Sequence, residues 1–208
     1  ILRGIGIQPD ILICRTERRM SPEHFRKIAL FCNIDENAVI EEIDIADSIY
    51  EVPLELQKQK LDSVVLEYLG IESDEAHLSS WRKMISALRN PSHEVKVALV
   101  GKYARLKDAY KSIYEALDHA GFAAQARVHV DRIEAEDIEK HGADEFLGDV
   151  DGVIVPGGFG HRGIEGKIAA LAYARSHGIP TLGLCLGMQC AVIEFARNVC
   201  GLEGATSE

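Results

Sequence analysis

Two rhythms of apolar and polar residues run along the chain, and they divide it near residue 94. Beyond that point, short apolar runs alternate with stretches whose apolar residues recur every three to four positions. The runs predict strands at 95–100, 153–155 and 181–184, and polar–apolar alternation predicts one at 126–130. The longer stretches predict helices at 107–120, ended by Gly121, and at 164–177 and 186–199. In the last of these, Leu186, Cys190, Ile193, Ala196 and Arg197 fall on one face. Strands alternating with helices build a parallel sheet covered on both faces, so the expected fold class is α/β. Functional groups should then gather beyond the C-terminal ends of the strands.

The first 70 residues read as strand, helix, strand, helix. Asp10-Ile11-Leu12-Ile13-Cys14 is a short apolar strand. Ser21-Pro22-Glu23 carries the N-cap and early proline of a helix start. That helix reaches about Cys32 and should bury Phe25, Ile28, Ala29 and Phe31 or their neighbours. Ala38-Val39-Ile40 gives a second strand, 47–53 a loop, and 54–69 one helix with apolar residues at 54, 61, 65, 66 and 69. Two such units do not enclose a core of ordinary domain size, so they are expected to be the last part of a larger sheet. Residues 71–93 are polar, hold the sole tryptophan, Trp81, and end in Asn90-Pro91-Ser92-His93. A helix over 81–88 stopped by the proline fits there, and the segment reads as a linker.

Composition narrows the class. With 208 residues, 47% of them hydrophobic, the chain is globular in character, and no apolar run approaches the roughly 18 residues of a membrane span. Ile1-Leu2-Arg3-Gly4 is neither a signal peptide nor a natural start. A formal charge of −10 argues against a nucleic-acid binder, while leaving room for nucleotide sites that need only a few local cations. Five cysteines without paired spacing suggest a reducing compartment.

The chemistry concentrates in Ile179-Pro180-Thr181-Leu182-Gly183-Leu184-Cys185-Leu186-Gly187-Met188-Gln189. An apolar run ends in Gly-x-Cys-x-Gly and a helical pattern begins at once, which describes a strand, a sharp turn carrying a thiol, and a helix. Gly183 and Gly187 are expected where a Cβ would collide with a neighbouring element. The amides of a helix N-terminus favour negative charge. Cys185 is thereby a candidate nucleophile; the alternative is a core thiol in a tight turn without chemistry. Cys14, Cys32, Cys190 and Cys200 read as packing or surface thiols. A second buried run, Val153-Ile154-Val155, ends in Pro156-Gly157-Gly158-Phe159-Gly160. Glycines there let backbone N–H groups face outward together, as a developing oxyanion requires. Alone such a loop is weak evidence; beside a thiol at the same end of a neighbouring strand it is strong.

Together, Pro156-Gly157-Gly158-Phe159-Gly160, Arg162-Gly163-x-Glu165-Gly166 and Gly183-Leu184-Cys185-Leu186-Gly187-Met188-Gln189 resemble the class I (triad) glutamine amidotransferases, a flavodoxin-like fold. Val100-Gly101-Lys102-Tyr103, Asp108-Ala109-Tyr110 and Ile193-Glu194-Phe195-Ala196-Arg197-Asn198 narrow the resemblance to the CTP synthase family. Gly6-Ile7-Gln8-Pro9-Asp10, Lys27-Ile28-Ala29-Leu30-Phe31-Cys32-Asn33 and Asp47-Ser48-Ile49-Tyr50 resemble the late part of that family's P-loop-type synthetase (amidoligase) domain. The resemblance covers essentially the whole chain. It implies a C-terminal part of the synthetase domain at 1–70, an interdomain linker at 71–93, and the N-terminal part of the glutamine amidotransferase domain at 94–208.

The activity so implied is a C–N-forming ligase of pyrimidine biosynthesis. It is ATP-dependent amination of UTP to CTP, with ammonia from glutamine hydrolysed at Cys185. The resemblance further places the backbone amides of Gly158 and Leu186 at the oxyanion, and Gly187, Met188, Gln189 and Glu208 around glutamine. Arg15, Ile43, Asp44 and Ile45 would lie at ATP, and Lys27 and Phe31 at the pyrimidine nucleotide, UTP or the inhibitor CTP. Arg162, Gly163 and Glu165 would face the activator GTP. Mg²⁺ would accompany ATP at a site mostly outside the chain, with no metal ligand within it. A cytoplasmic homotetramer without nucleic-acid or membrane partners is implied as well. One residue more than the family pattern near Ala46, and one fewer in Ala205-Thr206-Ser207-Glu208, leave the registers of 43–46 and 205–208 open.

The family's phosphate-binding loop lies upstream and its His-x-Glu segment downstream. None of the eight histidines here is followed two residues later by Glu, so the triad is expected to be incomplete and the chain alone inactive. Two other readings stay open: another class I amidotransferase or cysteine hydrolase of the same fold, or a non-catalytic regulatory module.

Overall fold

The computed structural model describes residues 2–206 apart from Asp47, Glu75, Phe159 and the side chain of Lys107. Glu208, implied at the glutamine site, lies outside the described residues. The chain divides into two compact units, Ile1–Ser86 and Ala87–Glu208.

In the first unit, β1 (Leu12–Thr16) leads through α1 (Pro22–Cys32) to β2 (Val39–Ile43). The two strands pair in parallel, Leu12 opposite Val39 through Thr16 opposite Ile43. Two helices follow, α2 (Val52–Lys58) and α3 (Leu61–Leu69), and then α4 (Ser79–Arg89). The backbone amide of Ser21 donates to Nδ1 of His24 at 3.2 Å, and Asn33, left-handed at φ 55°, closes α1.

Three details differ from the pattern-based reading. The first strand starts at Leu12, so Arg15 is a strand residue. On α1 only Ala29 is buried and Phe31 is 75% exposed; a two-stranded sheet is too narrow to cover the helix's whole apolar face. The helix expected over 54–69 is two, because Lys60 takes φ 60° between them. The break is held by Gln59, whose Oε1 accepts from the Glu41 amide of β2 at 2.8 Å. In the segment assigned to a linker, Trp81 of α4 donates from Nε1 to the Tyr50 carbonyl at 2.6 Å, with the two rings 6.3 Å apart.

The second unit is a four-stranded sheet, all parallel, in the order β4-β3-β5-β6. Its elements are β3 (His93–Gly101), α5 (Lys111–Ala124), β4 (Ala126–Glu134), α6 (Ala135–His141), α7 (Asp144–Leu147), β5 (Gly152–Val155), α8 (Ile164–Ser176), β6 (Thr181–Gly183) and α9 (Leu186–Asn198). The chain goes from β3 outward to β4, then returns to the other side of β3. The direction therefore switches between β3 and β5, and the crevice beyond their C-terminal ends is where open α/β sheets hold ligands.

Both faces of the sheet are covered because successive strand residues point to opposite sides. Ala98, Val100, Val153 and Val155 pack with Ile138 of α6, Ile168 and Leu171 of α8, and Cys190 and Ile193 of α9. Leu99 and Ile154 pack on the other side with Tyr110 and with Ile113, Tyr114 and Leu117 of α5. Gly121 does not stop α5, which runs on to Ala124 and ends at left-handed Gln125. A Cβ on Gly121 would come 2.7 Å from the Ala126 carbonyl oxygen, so the glycine admits the returning strand. Residues 107–110 form a 3₁₀ turn ahead of the helix. Among the described residues no helix is long and apolar enough to cross a membrane.

Candidate active site

β6 ends at Gly183, and three residues later α9 begins. The turn between them is closed by short contacts. A Cβ on Gly183 would lie 2.6 Å from the Met188 amide nitrogen, and one on Gly187 only 1.8 Å from the Val155 carbonyl oxygen. The Leu184 amide donates to that same carbonyl at 2.9 Å, and the Gly187 amide donates to Leu184 O at 2.9 Å. Cys185 is forced to φ 55°, ψ −112°, a region that side-chain-bearing residues rarely occupy and that costs about 1–3 kcal/mol. The thiol is left exposed at the top of the sheet.

The loop after β5 runs beside it. A Cβ built on Gly157 would lie 3.3 Å from Cβ of Cys185 and 3.8 Å from its sulfur. Gly158 follows, half-buried. Leu186 opens α9, where an amide has no acceptor within its own helix. Gly187 is buried; Met188 and Gln189 are exposed on the same first turn. The structure thus brings Cys185, Gly158, Leu186, Gly187, Met188 and Gln189 into one place.

A further group stands there that the sequence pattern does not single out. Lys167 of α8 is 1% exposed, and its Nζ donates to the Pro156 carbonyl at 3.1 Å. A Cβ on Gly158 would lie 3.6 Å from that nitrogen. Burial pushes the Lys167 ammonium below the usual lysine range; the nearby Cys190 and Cys185 thiols oppose this, and Lys102 adds to it. Burial likewise pushes the Cys190 thiol up, against the pull of Lys167. The signal in sequence is positional: Lys167 falls on the stripe of Ile164, Ile168, Leu171 and Ala174, where a helix should be apolar.

Arg162 bonds Glu136 at 3.2 Å and the Lys102 carbonyl at 3.4 Å, and its guanidinium stands 5.5 Å from the Tyr103 ring centre. Gly163 caps α8 at φ 78°, while Glu165 turns to Arg197 at 3.0 Å. Arg162 and Glu165 therefore engage different partners. In the first unit, Arg15 meets Asp44 at 2.8 Å, with Ile43 and Ile45 alongside at the end of β2. Lys27 pairs with Glu23 at 2.8 Å and shares a face of α1 with Phe31 one turn on. A histidine–carboxylate pair does occur, His129 and Glu94 at 3.1 Å. It lies toward the starts of β3 and β4, at the opposite end of the sheet from the thiol. Among the described residues no three His, Cys, Asp or Glu side chains gather to hold a metal ion.

Two family models match the chain: "CTP synthase N-terminus" over residues 1–71 and "Glutamine amidotransferase class-I" over 105–207. Among curated relatives, the CTP synthase of Moorella thermoacetica is 56% identical and that of Caldanaerobacter subterraneus subsp. tengcongensis 55% identical. In each case the match takes in 99% of this chain and 38% of the relative, so the chain spans less than half the length of these proteins. A solved structure, "Trypanosoma brucei CTPS - glutaminase domain with bound acivicin", is 45% identical over 55% of this chain and 45% of that one, with a TM-score of 0.51. Through both family models and these identities, the chain belongs to the CTP synthase family.

Proposed function

We propose that the chain forms part of a glutamine-hydrolysing CTP synthase, with Cys185 as nucleophile. The observation that carries this reading is an exposed thiol held at φ 55° against Gly157, at the N-terminus of α9. The thiolate sulfur attacks the side-chain carboxamide carbon of glutamine: an S–C bond forms and the carbonyl π pair moves to oxygen. The amides of Gly158 and Leu186 receive that oxyanion, each such donor being worth about 3 kcal/mol. Collapse restores the carbonyl and breaks the C–N bond, the nitrogen leaving as ammonia with a donated proton. Water then hydrolyses the thioester to glutamate and frees the thiol. Gly187, Met188 and Gln189 would line the glutamine, and by the resemblance Glu208 would bind it as well. The proton transfers call for a histidine held by a carboxylate; His129 and Glu94 lie at the wrong end of the sheet, so no residue of this chain is assigned that role.

The ammonia would aminate UTP at C4 after ATP activates its oxygen, giving CTP in a cytoplasmic homotetramer. Arg15, Ile43, Asp44 and Ile45 would face ATP, Lys27 and Phe31 the pyrimidine nucleotide, and Arg162, Gly163 and Glu165 the activator GTP. By the resemblance, the Mg²⁺ accompanying ATP would sit at a site mostly outside this chain.

Acivicin, bound in the trypanosomal glutaminase domain, tests the thiol's role. Incubated with the whole gene product, it should give one adduct, on Cys185, suppressed by excess glutamine. Equal labelling of Cys185 and the exposed Cys200, or no protection by glutamine, overturns the reading.

A further inference from the structure

Lys167 has no part in the chemistry above, yet it is the most deeply buried cation next to the thiol, at 1% exposure. An ammonium withdrawn from water is costly unless the site uses its charge. Its hydrogen bond to Pro156 O at 3.1 Å ties that carbonyl to α8. The next two peptide units, those of Gly157 and Gly158, are thereby fixed in the direction they present. Gly157 packs against Cys185, and Gly158 lies over Nζ.

We propose that Lys167 is a positioning residue of the thiol site: its ammonium anchors the Pro156–Gly158 loop from beneath, aims the loop's amides at the oxyanion, and adds fixed positive charge where the anion develops. The proposal rests on the glutamine-hydrolysis reading. It assigns Lys167 no bond-making step, only a charge and a hydrogen bond that must be present in the transition state. The ionisable groups facing Lys167 are Cys190 from α9, Cys185 from the elbow and Lys102 from the end of β3. Glu165 faces Cys190, and Glu139 of α6 accepts from the Gly166 amide at 3.0 Å. The strongly held alternative, a lysine that merely fills space, predicts that an unbranched apolar side chain serves as well.

The test is glutaminase kinetics on the whole gene product, comparing wild type, Lys167→Met and Lys167→Arg across pH. Loss of the anchor should lower kcat of Lys167→Met by roughly 100-fold, as loss of one oxyanion donor or a misplacement of about 1 Å does. KM should move less than about threefold, since the interaction grows in the transition state. Because burial holds Lys167 below the usual lysine range, wild-type kcat should fall on an alkaline limb as that ammonium loses its proton. Lys167→Arg, which stays charged, should restore part of kcat and lose the limb. Lys167→Met with kcat within threefold of wild type overturns the proposal, as does an alkaline limb that persists unchanged in Lys167→Arg. The latter comparison decides the matter even if Lys167→Met does not fold. A wild type without glutaminase activity sinks the underlying reading instead, so the two failures are distinguishable.

Discussion

Gly187→Ala is the sharpest perturbation of the thiol turn. The added methyl would sit 1.8 Å from the Val155 carbonyl oxygen, whereas carbon–oxygen contacts settle near 3.3–3.6 Å, so the first turn of α9 must retreat from β5 by about 1.5 Å. The retreat cannot stay local. The Leu184 amide is bonded to that same carbonyl at 2.9 Å, and Gly183 already abuts the Met188 amide. Overpacking of this severity costs about 3 kcal/mol, the upper part of its usual range. At roughly 2–4 °C per kcal/mol for a chain of this size, Tm should fall by about 6–12 °C. A shift of about 1 Å at the nucleophile should also slow acivicin labelling of Cys185 by ~100-fold while the protein is still folded. Gly152→Ala is the matched comparison: its Cβ would meet the Pro180 carbonyl at 3.6 Å and Val97 Cγ2 at 4.0 Å, ordinary van der Waals contacts, and it should melt and label as wild type does. Thermal melts and adduct mass spectrometry on the two variants decide the case. Gly187→Ala with wild-type labelling and a Tm within about 2 °C of wild type would refute a sterically locked turn.

Other expectations can be checked the same way. Cys185→Gly should be about 1 kcal/mol more stable than Cys185→Ala in urea melts, because glycine accepts φ 55° without strain; equal midpoints would mean the turn is relaxed. Arg175→Leu should lower the urea midpoint at pH 7, since Glu194, 3% exposed, loses its bidentate partner at 2.8–3.0 Å. Arg175 holds the Glu194 carboxyl below its ordinary value of 4.5. The pair's contribution is therefore complete above that value and is lost as pH falls through the lower folded one. The gap between Arg175→Leu and wild type should narrow below pH 4.5, and a gap that stays constant down to pH 3 contradicts the assignment. Gly121→Ala should lower stability by about 1–3 kcal/mol through its 2.7 Å approach to Ala126 O; a neutral effect would show that α5 and β4 can part.

The second unit was the more legible in sequence, because its central strands β3 and β5 are apolar runs that end in Gly101 and in Pro156-Gly157, and the edge strand β4 shows a clean polar–apolar alternation. The elbow was legible for a related reason: glycines two residues either side of Cys185 make sense only where backbones nearly touch. What could not be read depended on distant partners. Lys60 breaks a helix because Gln59 has a strand amide to meet, and no local pattern announces that. Phe31 stays exposed because, among the described residues, its sheet has two strands to set against α1, which is a matter of width and not of periodicity. Lys167 could be noticed only as a cation on the apolar stripe of α8; that its ammonium meets the Pro156 carbonyl depends on how α8 docks.

One feature of the scaffold reaches further than its strength. Arg175 grips Glu194 and Arg197 grips Glu165, so the later half of α9 is clasped to both ends of α8. The glycine loop feeds into one of these helices and the sulfur into the other. Their separation is consequently a property of the clasped pair. A signal from elsewhere would have to displace thiol and amides as one block; on the proposed glutamine-hydrolysis reading, regulation would act by admitting or withholding glutamine more readily than by prising these groups apart.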